Sequence, residues 1–248
     1  MSASFLFLSF ALPSFFVAPG QAVGHAGFEH LAPIESAYYA RDGVAAVEAL
    51  EDVPPAPPLD RAWALWRVAL THPLEGVDRQ TRRSNEERRK AFLDEAETLL
   101  EADVASGVPV ALLILSQVYQ ARITGMVSGM RYGRRAGETL AQALDLDPQS
   151  PHALYFQGIN LLMAPGPFGD KDQGRARLRQ AVQIFDANAA SGDGTTFQWG
   201  HAEALAHLGF ALFGEGDSVR AQEFYRRARA LAPEDYAWVR DELLRDLR

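Results

Sequence analysis

The chain has 248 residues, 48% of them hydrophobic, and a formal net charge of −8. That is enough apolar material for one continuous layered core, and with acids in excess and no strongly basic tail a general electrostatic attraction to nucleic acid is not expected. There is no cysteine, which rules out disulfides, thiolate metal sites and a cysteine nucleophile.

In chain order, the first segment carries no charged side chain from Ser2 to Phe28. Phe5 to Val17 is apolar, interrupted by Pro13. Small residues follow at Gly20-Gln21-Ala22 and Gly24-His25-Ala26. This is the layout of a secretory signal peptide spanning about residues 1–26, so the chain is expected to be periplasmic or secreted. The positive flank of such a signal is missing, since the first arginine is Arg41. The alternative is an apolar first helix packed on the rest of a cytoplasmic protein. The stretch is too short for a membrane span. With no cysteine after it, lipid attachment by a lipoprotein route is excluded.

Residues 27–248 read as a single helical domain. An irregular helix pair is predicted over 31–52. Val53-Pro54-Pro55-Ala56-Pro57-Pro58 follows as a stiff connector. Over 59–105, Trp63, Trp66 and Leu70 supply one helix and Leu93, Ala96 and Leu100 a second. Ser84-Asn85-Glu86-Glu87 reads as a capping box that opens the second helix. Next, over 109–148, comes Leu112-x-x-Leu115-Ser116-x-x-Tyr119, then Ala136-x-x-x-Leu140-x-x-Ala143, then Pro148. The pattern recurs over 151–187 as Leu154-x-x-Gln157-Gly158-x-x-Leu161 and Gly174-x-x-x-Leu178-x-x-Ala181. It recurs again over 202–233 as Leu205-x-x-Leu208-Gly209-x-x-Leu212, Ala221-x-x-x-Tyr225-x-x-Ala228 and Pro233. The spacing puts each set on one helical face. The small residues Ser116, Gly158 and Gly209, with Ala136, Gly174 and Ala221, let paired helices approach closely. Relative to this pattern, 59–105 is degenerate: Arg67 stands where the small residue belongs and Arg89 where the alanine does. Asp170 and Asp217 are placed as helix caps. A last helix over 234–247, with Trp238, Leu243 and Leu244, is expected to cap the stack. No segment alternates with period two, so no sheet is expected.

This self-similarity resembles the tetratricopeptide repeat (TPR) family, whose period is about 34 residues. The resemblance covers roughly Asp60 to Pro233 and is most specific in the last copy. It implies an all-α, right-handed superhelical solenoid of antiparallel helix pairs. The chain departs from the family pattern by insertions between paired helices, at 124–129 and 164–170, and by Asp186 where the third copy would have its proline. Residues 153–158 followed by Pro167-Phe168-Gly169-Asp170 also look like a group of secreted bacterial repeat proteins without a settled function.

Chemistry-bearing motifs are sparse. His25, His30, His72, His152, His201 and His207 form no His-x-x-x-His pair in a predicted helix, so neither a metal site nor a cofactor is expected. A loose metal contact at His25 and His30 is less favoured than a polar stretch at a cleavage site. The glycines at 125–129 and 166–169 lack the Gly-Lys-Ser/Thr of a phosphate loop and read as turns. No Gly-x-Ser-x-Gly occurs. The run Arg79 to Lys90, mixed with Glu86 and Glu87, reads as a solvated loop and helix start. Arg122, Arg131, Arg134 and Arg135 bracket the 124–129 insertion and are candidate contacts for an acidic peptide or carboxylate, weighed against ordinary exposure on a helix face.

Helical phase turns Gln117, His152, Tyr155, Ile159, Leu162, Glu203 and Phe210 toward a concave groove. The sequence therefore predicts an exported, non-enzymatic scaffold that binds a protein or peptide there. The alternatives are a carrier of a small apolar ligand, as in an accessory component of a transporter, and an enzyme, for which no catalytic constellation stands out. The groove could instead be filled by the tail or by the N-terminal helices.

Overall fold

The computed structural model describes residues 29–54, 57–71, 79–164, 169–190 and 199–231. Among these residues there are ten α-helices and no strand, so the protein is all-α. A 3₁₀ turn, Glu29–Leu31, leads into α1 (Ala32–Ala40) and α2 (Gly43–Glu51). Four helical hairpins follow: α3 (Pro58–Thr71) with α4 (Arg79–Ala105), α5 (Pro109–Ala121) with α6 (Met126–Leu146), α7 (Pro151–Met163) with α8 (Lys171–Ala190), and α9 (His201–Phe213) with α10 (Ser218–Leu231). The segments expected to hold the signal peptide, the closing Pro233 and the capping helix lie outside the described residues, as do His72 and Gly166 to Phe168.

Local chemistry explains the helix starts. Proline opens α3, α5 and α7, where its missing N–H would have no intrahelical partner. The Ser150 hydroxyl accepts from the Ala153 amide at 3.3 Å. Asp42 accepts from Val44 and Ala45 at 3.1 and 3.0 Å. Asp170 and Asp217 accept from Gln173 and Arg220 at 2.9 and 3.1 Å, in the capping role expected of them.

Paired helices meet at their small residues. A Cβ added to Gly158 would lie 2.9 Å from the carbonyl oxygen of Gly174, and one on Gly209 3.2 Å from that of Ala221. Ser116 donates to the Ala136 carbonyl at 3.0 Å, so its hydroxyl is satisfied in the seam. Each outer helix buries one stripe: Leu93, Ala96 and Leu100 on α4, Ala136, Leu140 and Ala143 on α6, Gly174, Leu178 and Ala181 on α8, Ala221, Tyr225 and Ala228 on α10. The helices that open the hairpins differ. Helices α3, α5 and α9 are buried nearly all round, as a helix must be when it has neighbours on every side. They form an inner layer that draws together at an aromatic cluster. Trp66 of α3 meets Phe156 of α7 and Trp199 before α9, each with ring centroids 6.1 Å apart.

Two local expectations need correction. Helix α4 begins at Arg79, so Ser84 stands inside the helix and does not open it. Pairs one turn apart, Arg83 with Glu87 at 3.0 Å and Lys90 with Asp94 at 2.6 Å, support that extra length. The insertion at 124–129 is largely helix, because α6 starts at Met126. The Ser128 hydroxyl accepts from the amides of Thr124 and Gly125 at 3.0 and 2.9 Å, which turns the added residues into the first turn of a longer helix.

Candidate functional site

At the centre of the inner layer lies Arg67, 2% exposed. Its Nε donates to Glu35 Oε1 on α1 at 2.5 Å. Its Nη2 stands 3.6 Å from Glu203 Oε1 on α9. The guanidinium is 4.2 Å from the ring centroid of Tyr38 and 4.4 Å from that of Trp66. One cation thus joins three helices that are far apart in sequence. Cation–π and charge-assisted contacts both strengthen in such a dry setting.

The electrostatics follow from burial. Glu35 is pushed up to about 7 by desolvation, with Arg67 pulling the other way and Glu203 adding repulsion. Burial works against the charge on Arg67, but Glu35, Tyr38 and Glu203 hold it firmly protonated. Burial also raises Tyr38, to about 12. His207 is lowered by burial to about 4. It is therefore neutral, and its Nδ1 donates to the Glu203 carbonyl at 2.9 Å.

Beside this trio is a cleft of about 300 Å³. Aromatic walls come from Tyr38, Trp66, Tyr155 and Phe156, and apolar edges from Leu70, Ala121 and Ile123. Arg67, Arg89, Gln117, Gln120 and Glu203 supply the polar groups. Three polar atoms of these residues, Arg67 Nη2, Gln117 Nε2 and Glu203 Oε2, are buried without a hydrogen-bond partner. Orphaned polar atoms gathered at one cavity are costly unless something satisfies them. Arg89 shapes the rim by donating to the carbonyl oxygens of Ala69 and Ala121, in the last turns of α3 and α5.

Of the residues read from the sequence as lining a groove, the cleft gathers Gln117, Tyr155 and Glu203. His152 is elsewhere: its Nε2 meets the Trp199 carbonyl oxygen at 2.8 Å and its ring stacks on Trp199, so it joins α7 to the turn before α9. Ile159 and Leu162 are half-buried against the core, and Phe210 is 39% exposed. The four arginines differ in exposure, although Arg122 and Arg131 both lie over the Tyr132 ring. Arg122 is buried in ion pairs with Asp94 and Glu97 of α4, at 2.7 and 2.8 Å. Arg131, Arg134 and Arg135 are exposed on α6.

Sequence reading missed Glu35, Tyr38, Arg67, Arg89 and Phe156 as members of this site. Arg67 did carry a signal. A lone charge in the apolar run from Trp63 to Leu70 is rarely buried without a partner.

Among the described residues no group of three or more His, Asp or Glu is placed to hold a metal ion. No described helix is long and apolar enough to cross a membrane. No protein-family model matches the chain, and no curated protein matches it significantly.

Proposed function

We propose that the protein is a non-enzymatic, TPR-like helical repeat protein that binds a small molecule, partly aromatic or apolar and partly hydrogen-bonding, in the cleft beside Arg67. The observation that carries this reading is a set of buried polar atoms without a hydrogen bond, Gln117 Nε2 and Glu203 Oε2 with Arg67 Nη2 held only in a 3.6 Å ion pair, on residues that line an aromatic cavity. Cavities of about this size, mostly apolar with a few convergent polar groups, suit small ligands. Glu35 and His207, which burial shifts toward neutrality, do not line the cleft, and Tyr38 and Tyr155, which do, are held neutral by burial. That favours binding over catalysis.

An open groove for a peptide has less support. Helix α1 packs on α3, and Glu35 and Tyr39 are buried there. A right-handed superhelix remains part of the proposal through the repeat pattern, and export through the apolar N-terminal stretch. A thermal-shift screen of small amides, carboxylates and aromatic compounds tests the reading. Hits should raise the melting temperature of the wild type and have little effect on Gln117→Leu. A screen with no hits, or hits unchanged in that variant, contradicts it.

A further inference from the structure

The strongest unexplained surface lies at the start of α6, apart from the cleft interior. Met126, Val127 and Met130 are 82%, 75% and 68% exposed, clustered in the first turns of the helix. Arginines stand directly behind them. On a helix, residues four apart lie in a row. Met126, Met130 and Arg134 make one row, and Val127, Arg131 and Arg135 the next. Both rows run from apolar to cationic in the same direction.

No acidic residue occurs from Met126 to Gly137, although the whole chain carries −8. The next in sequence, Glu138, lies 3.8 Å from Arg134 in an exposed pair that contributes little, and Asp94 and Glu97 of α4 are held by Arg122. Among the described residues Arg131 and Arg135 form no ion pair, and they lie over Tyr132 and Tyr119, at 5.2 and 5.7 Å. The positive end of the helix dipole adds to the same field.

We propose that this helix end docks on an anionic lipid surface, with Met126, Val127 and Met130 entering the boundary of the acyl chains and the arginines held among the headgroups. Two features select a bilayer over a protein partner. The order of side chains follows depth, apolar first and cationic behind, in both rows. The separation also fits: five residues of rise place Arg131 about 7.5 Å behind Met126, comparable to the 5–10 Å to which interfacial helices bury their apolar faces. The surface adjoins the cleft, because Ile123 lines the cleft and lies against Gly129 and Gly133 of the same turns. A ligand partitioned in the membrane would therefore meet the cleft on docking. The docking itself does not rest on the cleft being occupied.

Co-sedimentation of the chain with vesicles decides the matter. Vesicles of phosphatidylglycerol and phosphatidylcholine in equal parts should carry down the wild type, and vesicles of phosphatidylcholine alone should not. Arg131→Glu with Arg134→Glu should weaken binding by roughly tenfold or more, since each basic residue near such a surface contributes on the order of 1 kcal/mol. Met126→Ser with Met130→Ser should weaken it at every salt concentration. All four side chains are exposed, and far-UV circular dichroism verifies that the variants fold. Absence of anionic-vesicle binding overturns the proposal, as does wild-type binding by either double variant. Binding to a polyglutamate peptide without binding to vesicles also overturns it and assigns the surface to an acidic protein.

Discussion

Arg67 and Glu35 share a 2.5 Å hydrogen bond across 32 positions of sequence, and both side chains are almost wholly buried. That bond fastens α1 to the inner helices. With Glu203 as the second carboxylate, it ties the start of the described chain to α9, its last inner helix.

Breaking this trio should be expensive. Arg67→Ala leaves two carboxylates buried without their cation, and a loss of about 3–5 kcal/mol is expected in urea unfolding. Replacing all three members with apolar residues, Arg67→Met with Glu35→Leu and Glu203→Leu, removes the desolvated charges together and should recover most of that loss. If the triple variant is no more stable than Arg67→Ala, the ionic account is wrong.

The pH dependence has a definite sign. Glu35 titrates at about 7 when folded, against 4.5 ordinarily, so between those values the native state holds a proton that the unfolded state releases. Its contribution to stability is fully present below the lower value and is lost as pH rises through the upper one. His207, lowered from 6.5 to about 4, acts in the opposite sense: stability is lost as pH falls through that range. The two offset each other where they overlap. Between about 5 and 8 the histidines oppose Glu35 in part, since an unfolded histidine is still half protonated at 6.5 and His201 is lowered by burial as well. Arg67 stays charged there and Tyr38 and Tyr39 stay neutral. Wild-type stability should therefore fall relative to that of Glu35→Gln across that range, by at most about 1.4 kcal/mol per pH unit. Parallel curves would remove Glu35 as the cause.

The glycines should divide by position. Gly158→Ala puts a methyl 2.8 Å from Leu178 and 2.9 Å from the Gly174 carbonyl oxygen. It should cost about 1–3 kcal/mol through overpacking. Gly137→Ala, on exposed α6 with nothing within 4 Å of the new methyl, should stabilise by about 0.4–1 kcal/mol through the unfolded chain. Chemical denaturation of the two variants measures both effects.

The hairpins were legible because their signal is local. Leu112, Ser116, Ala136 and Leu140 announce a helix pair by spacing alone. The site was only partly legible, since Glu35, Arg67 and Glu203 come from separate hairpins and no spacing rule links them. Helical phase still identified Gln117, Tyr155 and Glu203, because their neighbours on the same helices fix which side faces inward. It misplaced His152, whose partner Trp199 arrives from a turn. It also could not show that α1 packs over the inner layer, a matter of tertiary packing.

Native mass spectrometry of the protein after exposure to a small-molecule extract tests the cleft most directly. Leu70 stands at its edge, 40% exposed, so Leu70→Trp should obstruct entry without disturbing the core. A bound small molecule on the wild type that is absent from Leu70→Trp is the predicted result. Wild-type protein that stays free of adducts, or the same adduct on both proteins, would contradict it.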